Sequence, residues 1–294
     1  MTKLIFGCGY LGSRVAGLWR GAGETVHVVT RSAQRAADLV ADGYQATVAD
    51  VNDASSLASL PVADIVLFAV GYDRSSSHTI EEVYGQGMQN VLDALPPSTG
   101  QVVYISSTGV YGQTGDVVVD EQTPCEPTRA GGRACLAAEQ TLASHSFGPR
   151  STILRLAGIY GLGRVPYLDR LRAGDPIPVP EHGLVNLIHV DDAAAIVVAA
   201  ASTPPTNTEK PSLSPELYCV SDGHPVERAE YYGEVARLLG SPAPRFVASD
   251  ADLPATRRAS SSKRVSNARL VEKLYSVFKI PTYREGLATI LAEQ

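Results

Sequence analysis

The sequence predicts an α/β fold in which helices cover both faces of a parallel sheet, with a smaller lobe in the C-terminal half. Two observations lead to this fold class. Short β-branched runs alternate with helical patterns through the first half of the chain, and a glycine-rich turn joins the first run to the first helix. Strands that alternate with helices require crossover connections, which make neighbouring strands parallel and place the helices on the sheet faces.

Seven runs of apolar and β-branched residues have the length and composition of buried strands. We predict strands at Leu4–Phe6, Val26–Val29, Ala46–Val48, Ile65–Val70, Val102–Ile105, Thr152–Leu156 and Leu217–Val220. Helical patterns fall between them near Leu11–Arg20, Ala33–Val40, Ile80–Leu95 and Arg133–Ser144. A later helix has Asp191 and Asp192 as its N-cap, and another runs from Val226 to Leu239 before Gly240.

Composition and charge restrict the class of protein. The chain has 294 residues, of which 44% are hydrophobic and 19% charged, enough for one large or two modest domains. A net charge of −6 disfavours nucleic acids and anionic membranes as partners. The longest uncharged apolar run, Ala193–Ala201, is far shorter than the roughly 20 residues of a membrane span.

The four cysteines are widely spaced, and none belongs to a CxxC pair. This spacing excludes a disulfide scaffold and the usual zinc sites, so no metal site is predicted. We expect a soluble, cytoplasmic protein that acts on a small-molecule substrate.

The most specific motif is a GxGxxG sequence between the first strand and the first helix. Gly7 permits the tight turn, Gly9 lets the backbone approach a pyrophosphate, and Gly12 allows close packing of helix and strand. Free N–H groups at the helix start face the phosphate charge. The motif therefore predicts a dinucleotide site.

The end of the second strand predicts which dinucleotide binds. A carboxylate there would accept hydrogen bonds from the ribose of NAD, but this chain has Arg31, Ser32 and Arg35 instead. Two guanidinium groups and a hydroxyl suit a 2′-phosphate, which favours NADP. The alternative is that Arg31 is a solvated loop residue and Arg35 a surface charge of the helix.

The carboxyl ends of the other strands complete the predicted cofactor site, because ligands of such sheets bind at that edge. Asp50 and Val51 follow the third strand, where Asp50 is placed to receive the adenine amino group; a simple turn or cap explains them equally well. The remaining predicted cofactor contacts are Tyr10, Leu11, Ala69, Val70, Gly71 and Ser106.

Several motifs besides the glycine turn occur in a specific order. They are residues 104–112 (YISSTGVYG), Asp120-Glu121 with Thr123-Pro124, Leu154-Arg155 with residues 158–161 (GIYG), residues 188–192 (IHVDD) and residues 218–222 (YCVSD). With this set the chain resembles the extended short-chain dehydrogenase/reductases of the NAD-dependent epimerase/dehydratase family over nearly its whole length. The resemblance implies a Rossmann doubly wound parallel sheet, a smaller C-terminal substrate lobe and a possible homodimer.

The predicted domain bounds follow from this resemblance. An NADP-binding Rossmann domain is expected over residues 1–160, with return segments near 184–202 and 216–220. Residues 161–183 and 221–294 are expected to form a discontinuous substrate lobe.

The sequence departs from the family at its catalytic pair, a Tyr-x-x-x-Lys on the helix after the fifth strand. The register of that helix puts Gly131 at the tyrosine and Cys135 at the lysine, and neither can replace a phenol–ammonium pair. The chain is therefore similar to the atypical short-chain dehydrogenases. Gly131 and Gly132 weaken the helix start, so a loop is the alternative there.

The remaining catalytic candidates lie after the fifth strand. Ser107 occupies the family's substrate-hydroxyl position, and Thr108 follows it where sugar dehydratases carry an acid, which argues against dehydration. Tyr111 is the most available phenol, with packing below the pocket as the alternative.

Substrate contacts are predicted at two places. Tyr72, Arg74 and His78 follow the fourth strand, where a mobile loop is the alternative. Tyr160 and Arg164 belong to the C-terminal half, and Arg164 is placed to clamp a diphosphate unless it is a solvated charge. Other basic residues of that lobe are Arg257, Arg258, Lys263 and Arg264.

These predictions favour an NADP-dependent oxidoreductase or epimerase that acts on a small hydroxyl- or carbonyl-bearing metabolite or a nucleotide sugar. The alternative is a catalytically silent NADP-binding sensor or scaffold, which the loss of the catalytic pair also predicts. A nucleotide-sugar epimerase with the family's usual chemistry ranks last, because it needs the missing pair.

Overall fold

The computed structural model describes residues 1–205, 214–247 and 262–293. The chain divides into two compact units. Unit 1 consists of Met1–Val110, Ala130–Arg155 and Ala194–Tyr218, and unit 2 of Tyr111–Arg129, Leu156–Ala193 and Cys219–Gln294. The predicted basic residues Arg257 and Arg258, and most of the proline-rich stretch 203–215, lie outside the described residues.

A seven-stranded parallel sheet is the centre of the fold, and it confirms the predicted fold class. Its order is β11-β7-β5-β4-β1-β2-β3. The strands are β1 (Thr2–Phe6), β2 (Thr25–Thr30), β3 (Gln45–Val48), β4 (Ile65–Phe68), β5 (Gln101–Ser107), β7 (Ser151–Leu156) and β11 (Glu216–Val220). All seven coincide with the β-branched runs of the sequence. The order reverses between β1 and β4, the type of position at which α/β sheets bind ligands.

Helices connect the strands of unit 1. They are α1 (Gly12–Gly21), α2 (Ala33–Ala41), α3 (Gly87–Ala94) and α4 (Ala130–Ser144), and 3-10 turns cover Ala54–Leu57, Thr108–Val110 and Gly148–Arg150. The core of unit 1 is apolar because the parallel strands are buried on both faces. Phe6 and Phe68 stack within it, and Tyr104 meets Phe68 edge to face.

Two helical segments differ from their predicted form. The helix expected over Ile80–Leu95 begins with a π-helical turn, Glu82–Gln86, and continues as α3. The loop alternative at Gly131 and Gly132 is wrong, because α4 begins at Ala130 and includes both glycines. The Gly132 backbone is buried, so packing compensates for the low helix propensity of glycine.

Unit 2 contains shorter elements, most of which the sequence did not predict; the helix that ends before Gly240 is the exception. Its helices include α5 (Leu168–Ala173) and α7 (Arg228–Leu239). Two more helices follow near the C-terminal end, at Ala268–Lys273 and Tyr283–Ala292. Three small sheets pair β10 (Leu187–His189) with β8 (Gly158–Tyr160), β12 (Val226–Glu227) with β9 (Leu184–Val185), and β13 (Lys263–Val265) with β6 (Val117–Val119). Gly240 ends α7 in the left-handed conformation, as predicted.

The long helix α6 (Val190–Ser202) begins before the two aspartates that were predicted as its N-cap. Asp191 and Asp192 therefore lie in its first turn and not at its N-cap. The fully buried Asp192 carboxylate accepts hydrogen bonds from Tyr275 and from the backbone N–H groups of Lys279 and Ile280. These bonds attach the segment before the last helix to α6 within unit 2.

Among the helices of the described ranges, none combines the length and the apolar composition that a membrane crossing needs.

Asp222 is a second buried carboxylate of unit 2. Its Oδ1 accepts a hydrogen bond from the His224 backbone N–H at 2.9 Å, whereas Oδ2 is buried with no partner among the described residues. Burial, and then the charge of Asp192, raise the pKa of Asp222 to about 7. The folded state therefore holds a proton on this group over a pH range in which the unfolded chain has lost it.

We expect Asp222 to make the protein less stable as the pH rises from about 4 to about 7, because the folded-state pKa lies above the unfolded one. Asp222→Asn should remove this contribution to the pH dependence of the free energy of unfolding, which amounts to at most about 4 kcal/mol. The measurement is urea unfolding at several pH values, with Asp191→Asn, an exposed carboxylate of the same helix turn as Asp192, as control. A difference between wild type and Asp222→Asn that stays constant from pH 4 to 8 contradicts the assignment.

Candidate functional site

The glycine turn between β1 and α1 is sterically closed on two sides. Gly7 has φ +91°, and a Cβ there would lie 2.3 Å from the Ala69 carbonyl oxygen. A Cβ on Gly12 would lie 2.1 Å from the Gly7 carbonyl oxygen. Both distances are far below van der Waals contact, so these two positions require glycine for the fold itself.

Gly9 differs from the other two glycines of the motif. A Cβ on Gly9 would meet no atom of the described residues within 4 Å, and its φ is not positive. The open side of the turn is thus at Gly9, directly before the start of α1. An anion at this point faces the free N–H groups of the helix. Leu11 is buried beside it, and the ring of Tyr10 packs on the Arg14 guanidinium at 4.2 Å.

The predicted 2′-phosphate residues line one cleft of unit 1, about 570 Å³ in volume. The strand ends β2, β3 and β4 contribute to its walls. The lining residues are Thr30, Arg31, Ser32, Arg35, Asp50, Asp73, Ser75, Ser76, Ser77 and His78. The structure thus places Arg31, Ser32, Arg35 and Asp50 around one cleft.

The two arginines of this cleft have different surroundings. The Nη2 atom of Arg31 lies 3.2 Å from Oδ2 of Asp73, and both side chains are about half exposed. Burial raises the pKa of the Cys8 thiol in the glycine turn, and the nearby positive charge of Arg35 has a smaller, opposite effect on that pKa. A positive charge therefore lies between the glycine turn and the end of β2.

Ser32 and Asp50 also have structural tasks. Ser32 is the N-cap of α2, and its Oγ accepts a hydrogen bond from the Arg35 backbone N–H at 3.2 Å. Asp50 Oδ1 accepts a hydrogen bond from the Asn52 backbone N–H at 2.9 Å, which is the turn considered above as the alternative. Val51 is buried against Gly87, and its carbonyl accepts a hydrogen bond from Asn90.

A buried charge network lies beneath the end of β5. Ser106 donates a hydrogen bond of 2.5 Å to Oε1 of Glu139, and Arg155 forms an ion pair of 2.6 Å with Oε2 of the same carboxylate. The side chains of Glu139 and Arg155 are each only 6% exposed. A buried pair of this kind is stable only when its remaining hydrogen bonds are satisfied, and Ser106 supplies one.

Cys135, which the sequence resemblance assigns to the lysine of the catalytic pair, joins this network. Its thiol interacts with the hydroxyl groups of Tyr104 and Ser106, and burial raises the pKa of the thiol to about 11. The thiol is therefore neutral near pH 7 and cannot supply the positive charge of an ammonium group. Gly131 has more space, since a Cβ there would meet Ile80 at 3.5 Å, an ordinary contact.

Ser107 and Thr108 follow Ser106 at the end of the strand. Ser107 Oγ accepts a hydrogen bond from the Gly109 backbone N–H at 3.0 Å and is only partly buried. Its own hydroxyl hydrogen is thereby directed away from that bond. Thr108 is buried at the start of a 3-10 turn. Of the two, Ser107 has the more accessible hydroxyl.

Tyr84 is a phenol at this edge that the sequence did not single out. It lies on the π-helical turn Glu82–Gln86, and its oxygen accepts a hydrogen bond from the Tyr72 backbone N–H at 3.2 Å. Burial, followed by the nearby Cys135, raises the pKa of Tyr84. No local signal predicts this placement, because it depends on how the turn packs against α4. Arg74, on the same loop as Tyr72, is exposed.

Three predicted residues belong to unit 2. Tyr111 is buried, and its hydroxyl donates to the Asp120 carbonyl at 2.6 Å, which corresponds to the packing alternative. Tyr160 is also buried; its hydroxyl donates to the Thr282 carbonyl, and its ring fills the space above Gly286. Arg164 is exposed and closes a tight turn with Gly161.

Lys263 is a buried cation of unit 2 and not part of a solvated basic face. It donates to the Tyr111 carbonyl at 2.9 Å, and burial lowers the pKa of Lys263 to about 8.

The residues of unit 1 fit a nicotinamide dinucleotide. The open side at Gly9 leaves room for a pyrophosphate, and the cleft at the end of β2 presents two guanidinium groups and serine hydroxyls. The described ranges contain no group of three His, Cys, Asp or Glu side chains able to hold a metal ion.

Comparison with known sequences agrees with this fit. The profile of the NAD dependent epimerase/dehydratase family matches residues 4–212. Short-chain dehydrogenase/reductase family 42E member 1 of Xenopus laevis is 27% identical over 259 residues, 80% of this chain and 66% of that protein. Chloroplast stem-loop binding protein of 41 kDa b of Arabidopsis thaliana is 32% identical over 163 residues, 53% of this chain and 40% of that protein. The chain thus spans less than two thirds of both curated relatives.

Solved structures give matches over the whole chain. A candidate NAD-dependent epimerase/dehydratase from Methylobacillus flagellatus is 30% identical, with a TM-score of 0.77 and coverage of 99% of this chain and 98% of that one. DesIV, a dTDP-glucose 4,6-dehydratase from Streptomyces venezuelae with NAD and TYD bound, has a TM-score of 0.80 over 99% of this chain and 96% of its own. At 20% identity the second match shows the fold alone.

Gly7 and Gly9 should respond differently to a methyl group. Gly7→Ala should lower the free energy of unfolding by about 2–4 kcal/mol, because the methyl group meets backbone atoms at a positive φ. Gly9→Ala should fold with nearly wild-type stability but bind a nicotinamide dinucleotide at least about tenfold more weakly. Thermal unfolding and fluorescence titration with NADPH measure the two effects. Equal stability of both variants contradicts the steric account of Gly7.

Proposed function

Because this chain belongs to the NAD-dependent epimerase/dehydratase family, we propose that it is an NADP-dependent oxidoreductase or epimerase with a non-standard active site. Its substrate is a small hydroxyl- or carbonyl-bearing metabolite or a nucleotide sugar. The observation that carries this proposal is the cleft at the end of β2, where Arg31, Ser32 and Arg35 stand at the position that selects between dinucleotides.

The charge of this cleft supports NADP. A 2′-phosphate carries nearly two negative charges and suits guanidinium groups, which form bidentate, charge-assisted hydrogen bonds. The start of α2 at Ala33 adds free backbone N–H groups and the positive end of a helix dipole beside Ser32. A ribose that lacks the 2′-phosphate carries no negative charge there and forms no ion pair with these groups.

The residues at the end of β5 support a role in positioning a substrate oxygen. When bound, the nicotinamide supplies the hydride acceptor or donor. Ser107 polarises the substrate oxygen with the hydroxyl hydrogen that its bond to Gly109 leaves available. Tyr111 uses its hydroxyl hydrogen on Asp120, so water exchanges the proton in this proposal. When no tyrosine transfers the proton, hydride transfer requires a substrate that is already activated. Positioning of the cofactor against that substrate then supplies most of the rate enhancement.

A second candidate function has an observation of its own. Gly131 is helical and Cys135 is a buried, neutral thiol, so the described residues contain no phenol–ammonium pair at these positions. A catalytically silent NADP-binding protein that acts as a sensor or a scaffold would need no such pair. Turnover of a substrate distinguishes the two candidates.

Other properties follow from the sequence and stay predictions. A homodimer and a cytoplasmic location are expected, and sedimentation of the purified chain tests the first. The net charge of −6 gives no support for transferring stem-loop binding, which the name of one relative states, to this chain.

Arg31→Ala should weaken the binding of NADP⁺ by about tenfold or more and change the binding of NAD⁺ little, because only the 2′-phosphate loses its charged partner. Isothermal titration with both nucleotides measures the effect. Arg172→Ala, which removes an exposed arginine of α5, is the matched control. Equal losses for NADP⁺ and NAD⁺ contradict the proposed cofactor preference.

Ser107→Ala should lower the turnover of a responsive substrate by about 100-fold or more while leaving NADPH binding near wild type. The assay follows NADPH absorbance with a panel of carbonyl compounds and nucleotide sugars. Tight NADPH binding without turnover across the whole panel favours the silent sensor. Turnover that is unchanged in Ser107→Ala removes this serine from the mechanism.

A further inference from the structure

An acidic side chain stands inside the proposed 2′-phosphate cleft. Asp73 lies on the segment after β4, and its Oδ2 is 3.2 Å from Nη2 of Arg31. This contact was not predicted from the sequence, because the two residues are 42 positions apart. The guanidinium assigned to the phosphate thus already has an anionic partner.

The Asp73 carboxylate is held in place by its own loop. Oδ1 accepts hydrogen bonds from the backbone N–H of Ser75 at 2.9 Å and from its hydroxyl at 2.7 Å, which leaves Oδ2 for Arg31. The Ser76 backbone N–H donates to the Asp73 carbonyl at 3.0 Å and closes the turn. These Ser75 bonds, more than Arg31, lower the pKa of Asp73. The group is therefore an ionised carboxylate in a defined orientation.

A fixed carboxylate has opposite effects on the two dinucleotides. A 2′-phosphate that approaches Arg31 must displace Asp73 or bind beside its negative charge, and either event costs binding energy. A free ribose 2′-hydroxyl experiences no such repulsion and is a hydrogen-bond donor that suits a carboxylate. The other carboxylate of the cleft, Asp50, is bound to Asn52 and forms no ion pair with Arg31 among the described residues.

We propose that Asp73 is a specificity-determining residue that competes with the 2′-phosphate for Arg31 and so limits the preference of the cleft for NADP over NAD. This inference rests on the proposed function, because it takes Arg31 to be the ligand of the 2′-phosphate. It extends that function by assigning the cleft a built-in counter-ion, so that the chain uses NAD as well as NADP.

The decisive variant is Asp73→Asn, which removes the charge but keeps the Oδ1 acceptor for Ser75. Asp53→Asn is a closely matched control: Asp53 Oδ1 accepts the same pair of hydrogen bonds from Ser55, at 3.0 and 2.7 Å, but Asp53 does not line the cleft. Isothermal titration of the full chain with NADP⁺, NAD⁺ and 2′,5′-ADP gives the affinities of wild type, both Asn variants, Arg31→Ala and the Arg31→Ala/Asp73→Asn double variant.

We expect Asp73→Asn to bind NADP⁺ and 2′,5′-ADP about fivefold more tightly, the size that exposed charge pairs reach, and NAD⁺ no more tightly than wild type. Asp53→Asn should match wild type. The gain for NADP⁺ should disappear in the Arg31→Ala background, because Asp73 acts through that guanidinium.

The proposal on Asp73 is overturned if the NADP⁺ to NAD⁺ affinity ratio of Asp73→Asn stays within about twofold of wild type, or if the gain persists without Arg31. The proposed function fails separately, when Arg31→Ala leaves NADP⁺ binding unchanged. If none of the variants binds either dinucleotide, both proposals are wrong.

Discussion

The close approach of the Gly7 backbone to the Ala69 carbonyl is the constraint on which the candidate site depends. It joins the carboxyl ends of β1 and β4, the two strands at which the sheet order reverses, with no side chain between them. The same turn receives α1, since Gly12 packs onto the Gly7 carbonyl oxygen. The contacts at Gly7 and Gly12 fix the orientation of the turn. In that orientation the Gly9 backbone is exposed to solvent.

The register of the sheet determines which segments line the cleft beside this turn. Phe6 of β1 lies opposite Val29 of β2 on one side and Phe68 of β4 on the other. This register brings the segment that follows Thr30 and the segment that follows Phe68 to the same height at the carboxyl edge. Arg31 and Asp73 meet there although each is on a different connection. The charge balance of the cleft is thus set by strand pairing and not by either loop alone.

The sequence predicted the periodic and local features of this chain well. All seven central strands were predicted from their apolar and β-branched runs, most clearly at β4 and β7, where every residue is buried. The glycine turn was predicted because steric closure permits few other residues. The features that it did not predict depend on distant parts of the chain. Asp73 meets Arg31 from another connection, Tyr84 reaches Tyr72 from a π-helical turn, and Glu139 pairs with Arg155 from the next strand.

The two positions that the sequence resemblance assigns to the catalytic pair, Gly131 and Cys135, have different physical surroundings. At Gly131 only the side chain is absent, and the nearest described atom to an added Cβ is Ile80 Cδ1 at 3.5 Å, so the helix surface there tolerates a larger residue. Cys135 is instead buried among Tyr104, Ser106 and the Glu139–Arg155 pair. A lysine at that buried position would be larger than the cysteine and would add a second cation beside a carboxylate already paired with Arg155. The cysteine at position 135 is therefore a packed residue of the core of unit 1. Any chemistry of this chain must proceed without an ammonium group at that position.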